Sequence, residues 1–578
     1  MIKEKKNSNK CPICGRLTHK ESKYCIFHAS AEEKTEEEFK KALKMYVNKI
    51  KKEDGDYDFK DFIFIGGIDF KKDLNIIVFK NADFGEATFK EDVYFWKVTF
   101  HGEANFGETT FKKYAGLGGA TFHGEAYFGK ATFQGEANFG GVTFQGEADF
   151  GWVTFHEEAN FKKAIFQGNS NFLYVTFQGV VDFRRATFKR DAFFVKTTFK
   201  GWADFEKTIF QGDTNFWWGT FQGVADFRGA NFKRWADFSN ITFHEEANFN
   251  KVIFKGNHTF WKPTFQGVAD FRGAAFYREA NFGGATFKED ANFWVKSFVK
   301  GVTFANVSVL PGKKLDLKVV NNKVNVSFKR AYLENAYLKL DLGEGTSIDF
   351  TDALLKNTKI EKEQIEKHIL QEKKKEFSQT KEIYLLLKNN FHSIGRYEDE
   401  SWAFKKEKDM ERLSCSFYSF KKDLVKKKKR EIFPILKWIY TKDFKKWIIS
   451  AFSNMIYGYG ERPWNVVKTA LAIIIIFALS FSLIGIGNPE IIELKGTGIY
   501  QNSGNIIDLA SKGLLKNNEI RNFPDCLYFS LITFTTLGYG DFRPLEGVGR
   551  ILAGSEAFIG AFMMALFVYT FARRTGGR

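Results

Sequence analysis

From Phe84 to Phe298 a large apolar side chain recurs at intervals of five and six residues in strict alternation. This period of eleven limits the possible fold more than any other feature of the chain. Phe stands at 84, 89, 95, 100, 106 and 111, Leu117 takes the next place, and Phe122, Phe128 and Phe133 resume the series. The unit is close to A-[ND]-F-x-x-[AVT]-T-F-x-G-E, as in ANFGGVTFQGE. An amphipathic helix repeats every 3.6 residues and a half-buried strand every two, so neither explains the spacing. A solenoid does, because each unit buries its apolar side only against the next. Composition agrees, with 68 Phe and 50 Gly against only 8 Pro.

The expected solenoid is built of β-strands. Phe and the small residue two before it (Ala104, Ala137, Ala159) point inward, the Asn or Asp between them points out, and Gly occupies corners that need positive φ. Two units make one four-sided coil of about 22 residues, rising ~4.8 Å by the strand spacing. This stretch resembles the pentapeptide-repeat family, whose unit is A-[DN]-[LF]-x-x. The resemblance implies a right-handed quadrilateral β-helix, assigned here to residues 61–360. Plainer pentads follow at Ala331–Leu338 and around Phe350 and Leu355. The extra residue in alternate units predicts local β-bulges. Residues 84–298 hold 24 basic and 24 acidic side chains. A rod neutral on balance is a poor nucleic-acid mimic or binder. Its outward Thr ladder reads as a solvated face. The solenoid is expected to regulate or to act as a scaffold.

The N-terminus reads CPICGRLTHKESKYCIFH, which places Cys11, Cys14, Cys25 and His28 in a C-x2-C-x10-C-x2-H pattern. Two such pairs on tight turns can close a tetrahedral site, and four protein ligands make it a structural zinc site over residues 1–30. His19 reads as a surface residue. Residues 31–60 follow as a charged helix and a loop. The opening, MIKEKKNSNK, carries no apolar leader.

Beyond the repeats, residues 361–420 take helical periodicity and predict a helical hairpin turning at Gly395. A basic juxtamembrane segment, 421–463, holds Lys426 to Arg430 in a row with Trp438, Tyr440 and Trp447 nearby. The whole chain carries a net charge of +17. Next to an apolar span, this segment points to an anionic lipid surface, at ~1 kcal/mol per basic residue. Trp464–Gly487 and 548–572 are long enough to span a bilayer. Basic residues flank both on one side, so both termini and the repeats are expected in the cytoplasm, with the loop 488–523 and the tail 573–578 on opposite sides. Tyr457–Gly460 reads as a flexible elbow.

Between the spans lies a stretch too short to cross, PDCLYFSLITFTT, followed by LGYGD. Residues 524–541 are expected to enter as a half-helix and return as extended backbone, which is tolerated at membrane depth only where it lines a water path or is buried in protein. TTLGYGD resembles the potassium-channel signature T-x-G-Y-G. By that resemblance, the backbone oxygens of Thr536, Leu537, Gly538 and Tyr539 from four chains, with Gly540 allowing the turn, replace the hydration shell of a potassium ion. Thr535 and Asp541 support the filter, and the Thr536 hydroxyl adds the innermost site. The spacing downstream resembles two-span bacterial channels, which implies a hinge at Gly560 and a gate near Met564 and Phe567. Glu556, inside the second span, is expected to face away from the pore. The sequence therefore predicts a homotetrameric potassium channel in the cell membrane, fused to a pentapeptide-repeat domain. A non-selective cation channel and a membrane-tethered scaffold are the alternatives. No set of nucleophile, base and orienting group recurs, so the chain does not read as an enzyme.

Overall fold

The computed structural model describes residues 10–319, 323–426, 434–487 and 519–575. The chain forms two compact units, divided between Lys375 and Glu376.

The first unit is a four-faced β-solenoid of about 13 turns. Among the described residues its sheets contain 14, 12, 13 and 11 strands, and except in the last coils every fourth strand pairs in parallel with the next of its own sheet. Most strands are only two residues long, alternating A-N or A-D with T-F. The register repeats at 22 residues: Thr110 pairs with Thr132, Thr132 with Thr154, and Ala104 with Ala126. Inside, the aromatic rings stack in columns. Phe106, Phe128, Phe150 and Phe172 lie 4.8–4.9 Å apart with planes within 3° of parallel. Neighbouring columns meet edge-on, as Phe150 does with Phe161 at 5.5 Å and 88°. Each coil thus satisfies both preferred aromatic geometries while its backbone keeps the strand spacing.

The extra residue of each eleven does not bulge the strands. It lies in the six-residue interval after T-F, in the x-G-E corner (Phe111 to Leu117, Phe133 to Phe139), whereas the five-residue corner after A-[ND]-F places one residue in the left-handed conformation: Glu108, Lys130, Trp152 and Lys163 among others. The repeated corner geometry is therefore held by stacking and inter-coil hydrogen bonds, and Gly is not required there. The Gly-Glu columns have a different cause. A Cβ on Gly146 would meet the Gly124 carbonyl oxygen at 2.3 Å, so Gly is needed there for close approach of successive coils. Outward Asp residues are also less solvated than expected. Asp182, Asp226 and Asp270 are almost fully buried beneath Arg184, Arg228 and Arg272, whose guanidinium groups lie 2.6–2.7 Å from them. The repeats are neutral only on average. Residues 84–160 carry 11 acidic and 5 basic side chains, and residues 161–298 carry 13 acidic and 19 basic.

Helix α1 (Glu36–Glu53) starts from a Thr35 capping box with Glu38 and buries Phe39, Leu43, Val47 and Ile50. Its cap region closes the open end of the solenoid. Lys34 donates to the carbonyls of Ile26, Phe27 and Ile63, and Phe27 stacks on Phe62 of the first coil at 4.5 Å. At the other end the short helix α2 (Leu370–Lys373) covers the last coil, where Gln371 donates to Asp349 and Thr351.

The second unit is helical. Helices α3 (Phe377–Ser393) and α4 (Tyr397–Ser414) form the hairpin, with Tyr384 and Phe391 packed against Trp402. Then come α5 (Phe417–Lys426), α6 (Pro434–Ile439), α7 (Lys442–Tyr457) and α8 (Pro463–Ile484). Of the basic run, Lys427 to Arg430 lie outside the described residues, as does most of the loop 488–523. Helix α9 (Phe523–Phe534) and helix α10 (Val548–Thr575) complete the unit. The expected elbow at Tyr457–Gly460 is not a loose one. It is a buried single turn with Tyr459 at φ 59°, held on several sides by side chains from distant parts of the chain.

Candidate ion pathway and metal centre

Helices α8 and α10 are each long and apolar enough to cross a bilayer. Between them α9 begins at Asn522, which caps the amide of Asp525 as Pro524 starts the first turn, and ends after 12 residues at Phe534. At its end Thr535 donates to the Leu531 carbonyl at 2.8 Å, and the amide of Leu537 reaches the Ile532 carbonyl at 3.0 Å. The chain then leaves as irregular backbone. Positive φ recurs at every second residue, at Thr536, Gly538 and Gly540. Backbone that alternates in hand in this way is able to turn successive carbonyls toward one side. The Thr536 hydroxyl donates to the Thr535 carbonyl within the single chain. Leu537 and Tyr539 are exposed. Asp541 interacts with the Tyr528 hydroxyl of α9, and Phe542 meets the Tyr528 ring edge-on at 5.9 Å. Asp541 is thereby tied to the helix behind the loop.

Gly560 has a packing reason that the sequence did not reveal. It lies inside an unbroken α10, where a Cβ would fall 1.9 Å from the Phe534 carbonyl oxygen. One turn earlier, fully buried Glu556 faces Ser530 of α9, and the Ser530 hydroxyl also reaches the Ile474 carbonyl of α8. The two contacts fasten α10 to α9 side by side and tie α8 to both. Met564 and Phe567 line an apolar cavity of about 380 Å³ together with Val466, Phe534 and Met563.

At the N-terminus the four ligand atoms of Cys11, Cys14, Cys25 and His28 lie within 4.8 Å of one another. Cys14 and Cys25 sulfurs are 3.6 Å apart, and His28 Nδ1 stands 3.1 Å from Cys25 Sγ and 3.5 Å from Cys11 Sγ. Tetrahedral zinc at ~2.3 Å from each sulfur places two sulfurs about 3.8 Å apart, so the group fits. The other ring nitrogen, Nε2, faces the Lys60 carbonyl at 3.3 Å, which fixes Nδ1 as the free ligand. Burial holds His28 below its ordinary pKa, with Arg16 and Lys34 adding to the effect, and keeps the ring in the neutral, ligating form. The Arg16 guanidinium lies near Cys14 and Cys25 and stacks over Tyr46 at 4.6 Å, offsetting thiolate charge. The Lys60 contact carried no sequence signal, because it is made across the fold, whereas Arg16 follows Cys14 by two residues.

Residues 491–576 match the family described as ion channel. Six overlapping or adjoining segments between residues 77 and 295 match pentapeptide repeats. The potassium voltage-gated channel protein shk-1 of Caenorhabditis elegans is 40% identical over 50 residues, 9% of this chain and 9% of that protein. Protein LctB of Geobacillus stearothermophilus is 36% identical over 70 residues, 12% of this chain and 52% of its own length. Protein LctB of Bacillus caldotenax is 33% identical over 108 residues, 19% of this chain and 68% of that protein. The chain belongs to the ion channel family. A pentapeptide-repeat solenoid is fused to the unit that carries the ion channel match, and the chain spans between 9% and 68% of the length of the curated relatives it matches. No solved structure matches.

Proposed function

We propose that four copies of this chain form a potassium-selective channel whose pore is closed around the loop from Thr535 to Asp541. Backbone oxygens of Thr536, Leu537, Gly538 and Tyr539 would ligate the ion, with Gly540 completing the turn. Thr535 and Asp541 hold the loop against α9, Gly560 packs on the end of α9, and Met564 and Phe567 one and two turns on lie toward the inner cavity and gate. The observation that carries this reading is the alternation of positive φ at Thr536, Gly538 and Gly540 directly after a 12-residue half-helix. A single chain leaves Leu537 and Tyr539 exposed, which a four-chain ring would cover. The C-terminal end of the α9 dipole adds attraction for a cation. The solenoid and both termini are cytoplasmic, and the basic segment before α8 meets anionic lipid. Cys11, Cys14, Cys25 and His28 hold a structural zinc ion.

Purified full-length protein in liposomes tests the channel. Barium-blocked potassium flux, with sodium flux at least tenfold lower, is the expected result. Equal sodium flux would make it a non-selective cation channel. No flux from a correctly inserted protein would make it a membrane-tethered scaffold.

A further inference from the structure

The turn at Gly458–Gly460 joins three distant parts of the second unit. Glu461, directly after it, is 7% exposed. Its carboxylate accepts from Ser401 of α4 at 2.5 Å and pairs with Arg573, in the last turn of α10, at 3.3 Å. The Arg573 guanidinium in turn lies 4.7 Å above the Phe404 ring of α4 and donates to Tyr569 at 3.4 Å. Tyr459 is fixed by the same elements: Arg412 of α4 donates to its hydroxyl at 3.2 Å, Ser450 of α7 lies 3.3 Å away, and the hydroxyl reaches Asp409 at 3.4 Å. The glycines are spatially required. Gly460 is at φ 89°, and a Cβ there would meet the Arg573 guanidinium at 3.1 Å. Tyr459 itself holds a left-handed conformation that a residue with a Cβ adopts at a cost, so the surrounding contacts outweigh that cost.

The pair connects the end of the pore-lining helix, the start of the outer helix and the cytoplasmic hairpin. We propose that Glu461 and Arg573 form a latch that holds the cytoplasmic end of α10 toward the outer helix of its own chain, and so away from the α10 helices of the other three. This inference rests on the four-chain channel reading. The Glu461 side chain is 5% exposed and that of Arg573 31%, so removal of Arg573 strands a buried carboxylate, whereas removal of Glu461 frees a guanidinium that water reaches. The stacked Phe404 ring adds a cation–π contact that favours Arg over Lys at position 573. Held this way, the inner mouth stays splayed. Released, the four ends are free to converge, and the hairpin no longer acts on them.

The test uses full-length protein. Each single variant, Glu461→Arg and Arg573→Glu, is reconstituted for potassium flux, and backbone hydrogen exchange is followed over residues 566–575. Native electrophoresis reports assembly. Each single change is expected to lower flux at least fivefold and to raise exchange, and the two together, which restore the pair without the Phe404 stack, are expected to recover at least half of each loss. Single variants that conduct and exchange normally would overturn the latch, as would a double variant that assembles yet stays defective. If the single variants do not assemble, Phe404→Leu replaces them, with a two- to threefold rise in exchange expected and unchanged exchange counting against the proposal. If the unmodified protein carries no flux, the channel reading fails by itself, and exchange in the same variants alone decides whether the tether exists.

Discussion

His258 stands in an inward position that the repeat normally gives to Ala, between Ala236 and Ala280 in its column. Its ring is almost fully buried, 5.0 Å from both Phe254 and Phe276, with one nitrogen on the Gly256 carbonyl and the other unpartnered. Burial lowers its pKa from 6.5 to about 4. Between those values the unfolded chain binds more protons than the folded one, so stability is full above about pH 6.5 and falls as the pH drops toward 4. The difference is worth ~3 kcal/mol. His258→Ala is expected to remove that share of the acid sensitivity, measured as the change in urea midpoint between pH 7 and pH 4.5. At the metal centre, Cys11→Ser is expected to release about one zinc per chain by metal analysis. His28 also contacts Lys60 in the first coil, so chelation should loosen the cap, seen as faster exchange of the Phe27 to Ile63 region. The cluster of Cys11, Cys14, Cys25 and His28 was legible from spacing alone. Its supporting contact with Lys60 was not, because Lys60 lies 32 residues from His28 and belongs to a different element.

At the scale of elements, the repeat made the solenoid readable because one residue type marks every face. The 22-residue register follows from counting Phe, and the observed pairing keeps it from Thr88 to Thr286. Counting could not say where the sixth residue of alternate units goes, since a corner and a bulge leave the same spacing. Nor could it show that the Gly-Glu glycines serve close approach. In the helical unit, length and hydropathy marked α8 and α10, and the short apolar stretch marked α9. The helix-to-helix contacts were beyond that kind of reading. Gly560 shows why: its sequence position suits a hinge, and its place in the structure is a backbone contact with Phe534. Gly560→Ala would force α9 and α10 apart by more than a few tenths of an ångström, at a cost of ~1–3 kcal/mol. Its liposomes are expected to lose at least fivefold in flux, with the monomer still helical by circular dichroism. A hinge role alone would leave this small, helix-favouring change nearly silent.

For the whole molecule, the solenoid behaves as a one-dimensional stack whose stability is a sum over neighbouring coils. Duplicating Ala225–Glu246, one full 22-residue coil, should therefore fold without repacking either end. The expected result is a melting temperature within a few degrees of the original and a rod longer by ~4.8 Å in electron micrographs. Aggregation of the duplicated protein would show that the coils are not interchangeable. The turn at Gly458–Gly460 illustrates the opposite situation. Its partners, Ser401, Phe404 and Arg573, are dispersed along the chain, and a reading by local pattern saw only a glycine-rich bend.

The corners of the solenoid carry one more implication. Faces one and three share the A-N or A-D strand, and faces two and four share T-F, so half a coil is as good a building block as a whole one. Gain of a whole coil in the gene leaves the downstream chain departing in its former direction. Gain of half a coil packs equally well yet makes the chain depart from the opposite side. Slippage in this repetitive gene can therefore re-aim everything that follows the solenoid without disturbing a single buried ring.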